Sequence, residues 1–415
     1  MKKLLIILFL IPAIIVNAQT VLTMEGQTYT NTETGTWMGV DVRKSVPTLL
    51  TFKNNSITSH NTQGYMLLAG DEGVESRNNK LDNAVISGNK FYWIGPVSSS
   101  IITHGLFTGH NSNVIIKYNN LLDVPMGIIR KSSNNMSNTG GGVAYNIVRN
   151  GLVAVNIKGM SNVNIYNNTL YTKLTEAQTW RGLIQIYTGS NASVSHGTKI
   201  FNNIFYTKYG TLSIYVEDTA SLRGLQSDYN VFWCENGSPR FRIGSSTKSF
   251  AQWQALGYDT HSVVLNPNFK DLESFVPTTR LNYGINLDTM WRNGLSTTAV
   301  WGTTDPQTTA QNGAWQVGAI VYGFPTGVKE SLNNSQNVSI YPNPARQFIN
   351  VTFQEKSNEK QTIRIFDLLG NICLEKQLDA SEKNQIPINL KSGLYIVQVK
   401  TGSSGSYIQK LNVIE

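Results

Sequence analysis

Gly151–Tyr171 reads GLVAVNIKGMSNVNIYNNTLY, and the order of apolar and polar residues in it decides the fold. Three short pieces alternate apolar with polar side chains: Ala154–Lys158, Val163–Tyr166 and Thr169–Tyr171. That period of two belongs to strands with one buried face. An Asn closes the gap between the second piece and the third. Arg181–Tyr206, RGLIQIYTGSNASVSHGTKIFNNIFY, repeats the scheme. Outward from these two, the corner pattern returns as FKNNSIT, ISGNKFY, IKYNNLL, VAYNIVR, IYNNTLY, IFNNIFY and SDYNVFW. Its asparagines are Asn55, Asn89, Asn120, Asn146, Asn168, Asn203 and Asn230, spaced by 22 to 35 residues.

Turn signals in a β-sandwich recur every 8–12 residues or so. The longer period fits one coil of a solenoid, in which each unit buries its face only against its neighbours. Asn at one corner of every coil predicts a ladder of stacked amides, and Asn tolerates the left-handed backbone a tight corner needs. Three strands per coil predict an all-β chain folded as a right-handed parallel β-helix. GIIRK, AVNIKG, LIQIYTG, LSIYVED and FRIG are assigned to a first face. NVIIKY, GVAY, NVNIY and TKIF form the second, and the residues after each Asn form the third.

Around the coils the composition is that of an exported protein. Charged residues make up 14% of the chain, against about 25% in ordinary soluble proteins. MKKLLIILFLIPAIIVNA has a basic start, an apolar run too short to be retained as a span, and a small-x-small end, so residues 1–18 are expected to be a signal peptide. Cys234 and Cys373 are expected to be buried free thiols, since two cysteines make no zinc site. The net charge of +8 is scattered and not interleaved with aromatics. Nucleic acid is therefore not an expected partner, and an acidic polymer outside the cell is.

Residues 19–325 are expected to hold the β-helix and its cover, as a monomer with no transmembrane segment once the signal peptide is cleaved. Phe250, Trp253 and Leu256 at helical spacing predict a short helix on the open end, and the Trp-rich stretch to Gly323 is expected to finish that cover. Residues 326–336 form a polar linker. Residues 337–415 alternate short strands with Gly-rich turns and predict a small antiparallel β-sandwich.

That last segment closely resembles the C-terminal sorting domain of the type IX secretion system of Bacteroidota. The residues that carry the likeness are Tyr341-Pro342-Asn343-Pro344, Ile365-Phe366-Asp367 to Gly370-Asn371, Lys391-Ser392-Gly393-Leu394-Tyr395 and Gln409-Lys410. The resemblance implies handling by the type IX machinery and export to the surface or the medium; a carbohydrate-binding module is the alternative. The coils resemble β-helix polysaccharide lyases and hydrolases, and more weakly the alginate lyase and chondroitinase B family. That weaker likeness rests on Lys131-Ser132-Ser133 and Lys158-Gly159, and implies a catalytic base at the first. The chain departs from it in having Lys at the second position, where the family has Arg, and in lacking the acidic calcium ligands before the base.

Aligning the coils places His110, Arg130 or Lys131, Lys158, Tyr187 and Glu217 near the end of the first face. Inserts at Gly70–Leu81 and Lys131–Gly140 are positioned to wall a groove there. A solvated polar face is the plainer alternative. The chemistry that fits is β-elimination on a uronate: cations neutralise the carboxylate, a Lys, His or Tyr removes the C5 proton, and the leaving oxygen is protonated. The rival base or acid candidates are Lys131, Lys158, His110 and Tyr187, with Arg130 as a supporting cation. A hydrolase needs two facing carboxylates, and adjacent Glu217 and Asp218 point to opposite faces of a strand. Asp123 and Glu235 lie past Asn corners, away from the groove. Asp71, Glu72 and Glu75 are the densest acidic cluster and the candidate ligands for Ca²⁺, the one cofactor considered. A hydrolase and a non-catalytic glycan-binding adhesin remain the alternatives.

Overall fold

The structure is a computed structural model that describes residues 20–287, 315–320, 322 and 338–414. Within those spans it leaves out 32–35, 43–47, 61–62, 71–80, 96–101, 110, 133–138, 175–180, 190–192, 354–360, 368–371, 380–382 and 402–404. The signal peptide, the linker, His110, Asp71, Glu72, Glu75 and most of both expected groove walls lie outside the described residues. The chain divides into two compact units, Met1–Phe324 and Pro325–Glu415.

The first unit is a right-handed parallel β-helix built from three long sheets. The first face stacks, among others, Gln63–Ala69, Ile102–Gly109, Met126–Lys131, Val153–Lys158, Gly182–Tyr187, Leu212–Val216 and Arg240–Ile243. The second stacks Val85–Ser87, Ile115–Lys117, Gly142–Ala144, Asn164–Tyr166, Lys199–Phe201 and Gln226–Asp228, and the third takes the strands after the Asn corner. Neighbouring coils pair in parallel, residue over residue, so each side chain stacks on its equivalent in the next coil. The inward aliphatics, such as Ile128, Val155, Ile157, Ile184, Ile186 and Ile214, make one continuous core.

The Asn ladder is present, with one correction. It runs Asn55, Asn89, Asn119, Asn146, Asn168, Asn203, Asn230, so the rung is Asn119 and not Asn120. Each of the first six donates Nδ2 to Oδ1 of the next at 2.9–3.1 Å. Its backbone N–H donates to the same oxygen at 2.8–3.0 Å. The other Nδ2 hydrogen reaches a carbonyl one coil back, as from Asn168 to Val143 at 2.9 Å. A buried amide is fully satisfied in this way.

The left-handed residue is not the rung but the one before it: Asn54, Gly88, Tyr118, Tyr145, Asn167, Asn202 and Tyr229 all have φ between 49° and 68°. Tyr118 therefore aligns with Tyr145 and makes Asn119 the rung, while Asn120 opens the next strand opposite Ile147. Three tyrosines accept a backbone that costs a bulky residue energy. Tyr118 stacks on Tyr145 at 5.3 Å, and Tyr229 on His261 at 4.8 Å.

The ladder ends on a different chemistry. Asn230 donates its N–H to Ser262 Oγ at 2.8 Å and its amide to Asp259 Oδ1 at 2.8 Å. Asp259 also accepts from Ser227, Ser262 and the Trp253 indole. Burial pushes its carboxyl above the usual range, opposed by those four donors.

The expected helix is Phe250–Gln254, opened by a capping box between Ser249 and Gln252. Trp253 is fully buried and stacks on Phe241 at 5.0 Å, but Leu256 is half exposed and takes no part in the cover. An antiparallel strand, Ser246–Ser249, seals the edge of Arg240–Ile243. Much of the stretch expected to finish the cover, 288–314, lies outside the described residues. Its described parts, 265–287 and 315–319, run along the outside of the coils: Phe269 and Phe275 pack on Tyr171 and Tyr206 of the third face, and Leu287 and Trp315 pack on Tyr145, Tyr166 and Phe201 of the second face and its corner. Asn202 holds it from both sides, donating to Ile285 O and accepting from Ile285 N–H, both at 2.9 Å. An outward column of aromatics on the third face needs an apolar cover, and this segment supplies it.

The second unit is a three-stranded and a four-stranded antiparallel sheet around a core that includes Ile349, Val351, Ile363, Ile365, Val397 and Leu411. Asn343 of the YPNP run donates to Lys410 O at 2.7 Å and accepts from Asn412 N–H at 2.9 Å, which explains why the two ends of the motif occur together. Cys234 and Cys373 are free thiols; Cys234 is buried, but Cys373 is exposed, contrary to expectation, because its strand Ile372–Leu378 is at the sheet edge.

Candidate functional site

Period two sorts the first face into two columns. Val155, Ile157, Ile184, Ile186, Ile214 and Val216 point into the core, so Asn156, Lys158, Gln185, Tyr187 and Tyr215 point out. Parallel register lines them up. Lys131 pairs with Lys158 and Lys158 with Tyr187; Asn156 pairs with Gln185 and Gln185 with Tyr215. Three of the five site candidates, Lys131, Lys158 and Tyr187, thus form one outward column.

Tyr187 is the centre of the cluster. The Lys158 ammonium lies 5.1 Å from the centre of its ring, and Asn156 Nδ2 donates to its hydroxyl at 3.2 Å. Burial raises the phenol above its ordinary value, Glu217 raises it further, and the Asn156 bond and nearby Arg181 work against the rise. Burial in turn lowers the Arg181 guanidinium, while Tyr187 and Glu217 support its charge. Lys131 sits one coil earlier, its ammonium 5.9 Å from the centre of the Phe107 ring. On the far side Arg242 stacks 5.3 Å from the ring of Tyr215.

Arg130 is not part of this surface. It has the parity of Ile128 and pairs with inward Ile157, so it points into the coil and is fully buried. There its guanidinium donates to Asn111 Oδ1 and, at 2.8 Å, to the Gly140 carbonyl. Burial lowers it to about 9. It braces the corner beneath Lys131 and touches nothing on the outer face. Gly159, after Lys158, has φ 67° and a Cβ there would collide with the Ser132 hydroxyl, so the turn beside the column requires glycine.

Among the described residues, Asp218, Asp123 and Glu235 are each engaged elsewhere than across a groove. Asp218 is consumed by the backbone: it accepts from Thr188 N–H and Ser221 N–H, each at 2.9 Å, and caps the turn Thr219–Leu222. Burial works to raise it, and those bonds bring it below the usual range. Asp123 binds Arg149 at 3.2 Å and Glu235 accepts from Tyr206 at 2.6 Å, both on the third face. Among the described residues no group of three or more His, Cys, Asp or Glu is placed to hold a metal ion.

Sequence analysis missed Arg181, Asn156, Gln185, Tyr215 and Arg242. The middle column was legible as single polar residues between aliphatics, in VNI and IQI. Arg181 precedes its strand and carries no periodic signal.

No curated protein matches the chain at a significant level. Residues 339–414 match the family model described as a secretion system C-terminal sorting domain. Among the described residues no helix is long and apolar enough to cross a membrane. The chain therefore ends in a sorting domain of that family, and it is exported by type IX secretion to the cell surface or the medium.

Proposed function

We propose that the coil region is a lyase that cleaves an acidic polysaccharide by β-elimination on the outer side of the first face. The observation that carries this is a half-buried phenol beside two cations: Tyr187, with Lys158 over its ring and Arg181 close enough to stabilise its anion. In this reading Lys158, Arg181 and Lys131 hold the uronate carboxylate and the charge that develops as the C5 proton leaves. The Tyr187 phenolate takes that proton. The C5–H electron pair becomes the C4=C5 double bond, the C4–O bond breaks, and the phenol returns its proton to the leaving oxygen. The balance needs no co-reactant. The carboxylate arrangement gives a hydrolase no facing pair among the described residues, which favours elimination over hydrolysis.

The test uses the full chain on a panel of acidic glycans, following the absorbance of the unsaturated product. Tyr187→Phe keeps the ring and should lower kcat by roughly 10²–10⁴-fold, the usual worth of a proton-transfer group. Lys158→Ala should lower kcat, and Lys131→Ala should chiefly raise KM. Because burial raises the Tyr187 phenol, the phenolate fraction grows with pH, so turnover should climb through the alkaline range. Full turnover by Tyr187→Phe would remove it from the mechanism. Reducing ends without unsaturation would mean a hydrolase, and retention of glycan without product would mean an adhesin.

A further inference from the structure

The middle column of the first face poses a problem that the proton-transfer group does not solve. Asn156 and Gln185 are adjacent in register, both outward, and only 2% and 6% exposed. Asn156 gives its Nδ2 to Tyr187, but its Oδ1 is buried and has no hydrogen-bond partner among the described residues. Gln185 Oε1 is in the same condition. A buried amide oxygen left unpaired costs about 1–3 kcal/mol. Rotating either amide does not remove the cost, since it exchanges an orphan acceptor for an orphan donor. Two such orphans, side by side and next to the half-buried Tyr187, are the mark of a surface completed by a ligand.

We infer that Asn156 and Gln185 read the free hydroxyl groups of the sugar bound beside Tyr187, so that the site takes acidic glycans whose hydroxyls are unsubstituted and rejects O-acylated ones. This rests on the acidic-glycan reading above. Three features of the pair select a hydroxyl. A hydroxyl both donates and accepts, so it satisfies an amide in either orientation. A metal cation is disfavoured by Lys158 and Arg181 beside the same ring. A carboxylate is disfavoured by the amide oxygens themselves, which repel another acceptor.

The spacing also fits. Coils in a parallel sheet repeat every ~4.8 Å, close to the length of one pyranose ring along a chain. A glycan lying along the helix axis would offer one hydroxyl to Asn156 and another to Gln185. An ester in place of either hydroxyl takes away the donor and adds bulk where both amides are nine-tenths buried. Sites built around a substrate hydroxyl reject its absence much more strongly than hydrophobic pockets reject a missing methylene, because their own polar groups are left unpaired.

The experiment is affinity electrophoresis of the full chain in gels holding polygalacturonate or alginate, each unmodified and chemically O-acetylated. The wild type should be retarded by at least one unmodified polymer and bind its acetylated form roughly tenfold more weakly or worse, about one hydrogen bond's worth. Gln185→Met keeps the side-chain length, removes the amide and leaves the Asn156–Tyr187 bond in place. It should weaken binding of the unmodified polymer and narrow the gap between the two forms. Circular dichroism and an unfolding midpoint no lower than the wild type's establish that the variant is folded; if it is not, Gln185→Leu is used in the same assay. Equal retention of both forms by the wild type, or undiminished discrimination by the folded variant, overturns this inference alone. No retention by either unmodified polymer overturns the acidic-glycan reading and this one with it.

Discussion

At the scale of single residues, the corner at Tyr118-Asn119-Asn120 separates two asparagines that sequence treats as equal. Asn119 is a rung, bonded to Asn89, Asn146 and the Ile86 carbonyl. Asn120 faces neither neighbour in the ladder, and its Oδ1 has no partner among the described residues. Asn119→Ala leaves the Asn89 amide and the Asn146 oxygen short of partners in the buried interior, so it should lower stability by about 1–3 kcal/mol for each group left unpaired. Asn120→Ala removes no ladder bond and should lower stability by no more than ~0.5 kcal/mol. Urea unfolding of the two variants side by side decides it; equal losses would mean the rung is misassigned. The doublet was ambiguous in sequence because rung and strand-opening positions both accept Asn. Only the left-handed φ of the preceding residue tells them apart, and sequence does not display a φ.

At the scale of elements, one short helix, Phe250–Gln254, packs on the open end of the solenoid. Trp253 lies between Phe241 and Tyr258, at 5.0 and 4.5 Å, and donates its indole N–H to Asp259 at 2.7 Å. Asp259 in turn terminates the Asn ladder. Removing the ring opens a large cavity and orphans one bond of a buried carboxylate, so Trp253→Ala should cost about 3–5 kcal/mol or more. A midpoint shift that small surface substitutions also produce would show that the cap is dispensable. The helix was legible because Phe250 and Trp253 fall one helical turn apart. The course of the described residues 265–287 and 315–319 was not, since their anchors include bonds between the Asn202 side-chain amide and the Ile285 backbone, formed between residues 83 apart with no periodic trace. The candidate site divides in the same way. The outward alignment of Lys131, Lys158 and Tyr187 was legible because coil alignment is a period-two argument. Arg130 was misplaced because its neighbour Lys131 has the opposite parity, and a one-residue shift exchanges inside for outside.

At the scale of the molecule, the two units are built for different tasks. The coils have a single elongated core, and each coil is stable only against its neighbours. The tail unit has its own core, and at its exposed surface the YPNP and QK ends of its motif meet through Asn343 and Lys410. The sorting residues are thus bound into the tail's own fold. Removal of residues 337–415 should therefore leave the coil region folded, with its unfolding midpoint unchanged, while stopping passage across the outer membrane. Cell fractionation should show the truncated chain in the periplasm and the full chain at the surface or in the medium. Asn343→Ala in the intact protein is the finer form of the experiment. It breaks the clasp between the two ends of the motif without deleting either, so it should slow export if the machinery recognises the folded tail. Normal export of Asn343→Ala alongside retention of the deletion would mean that the address is read from the strand sequence itself. Normal export of the deletion would mean that the tail is not the address.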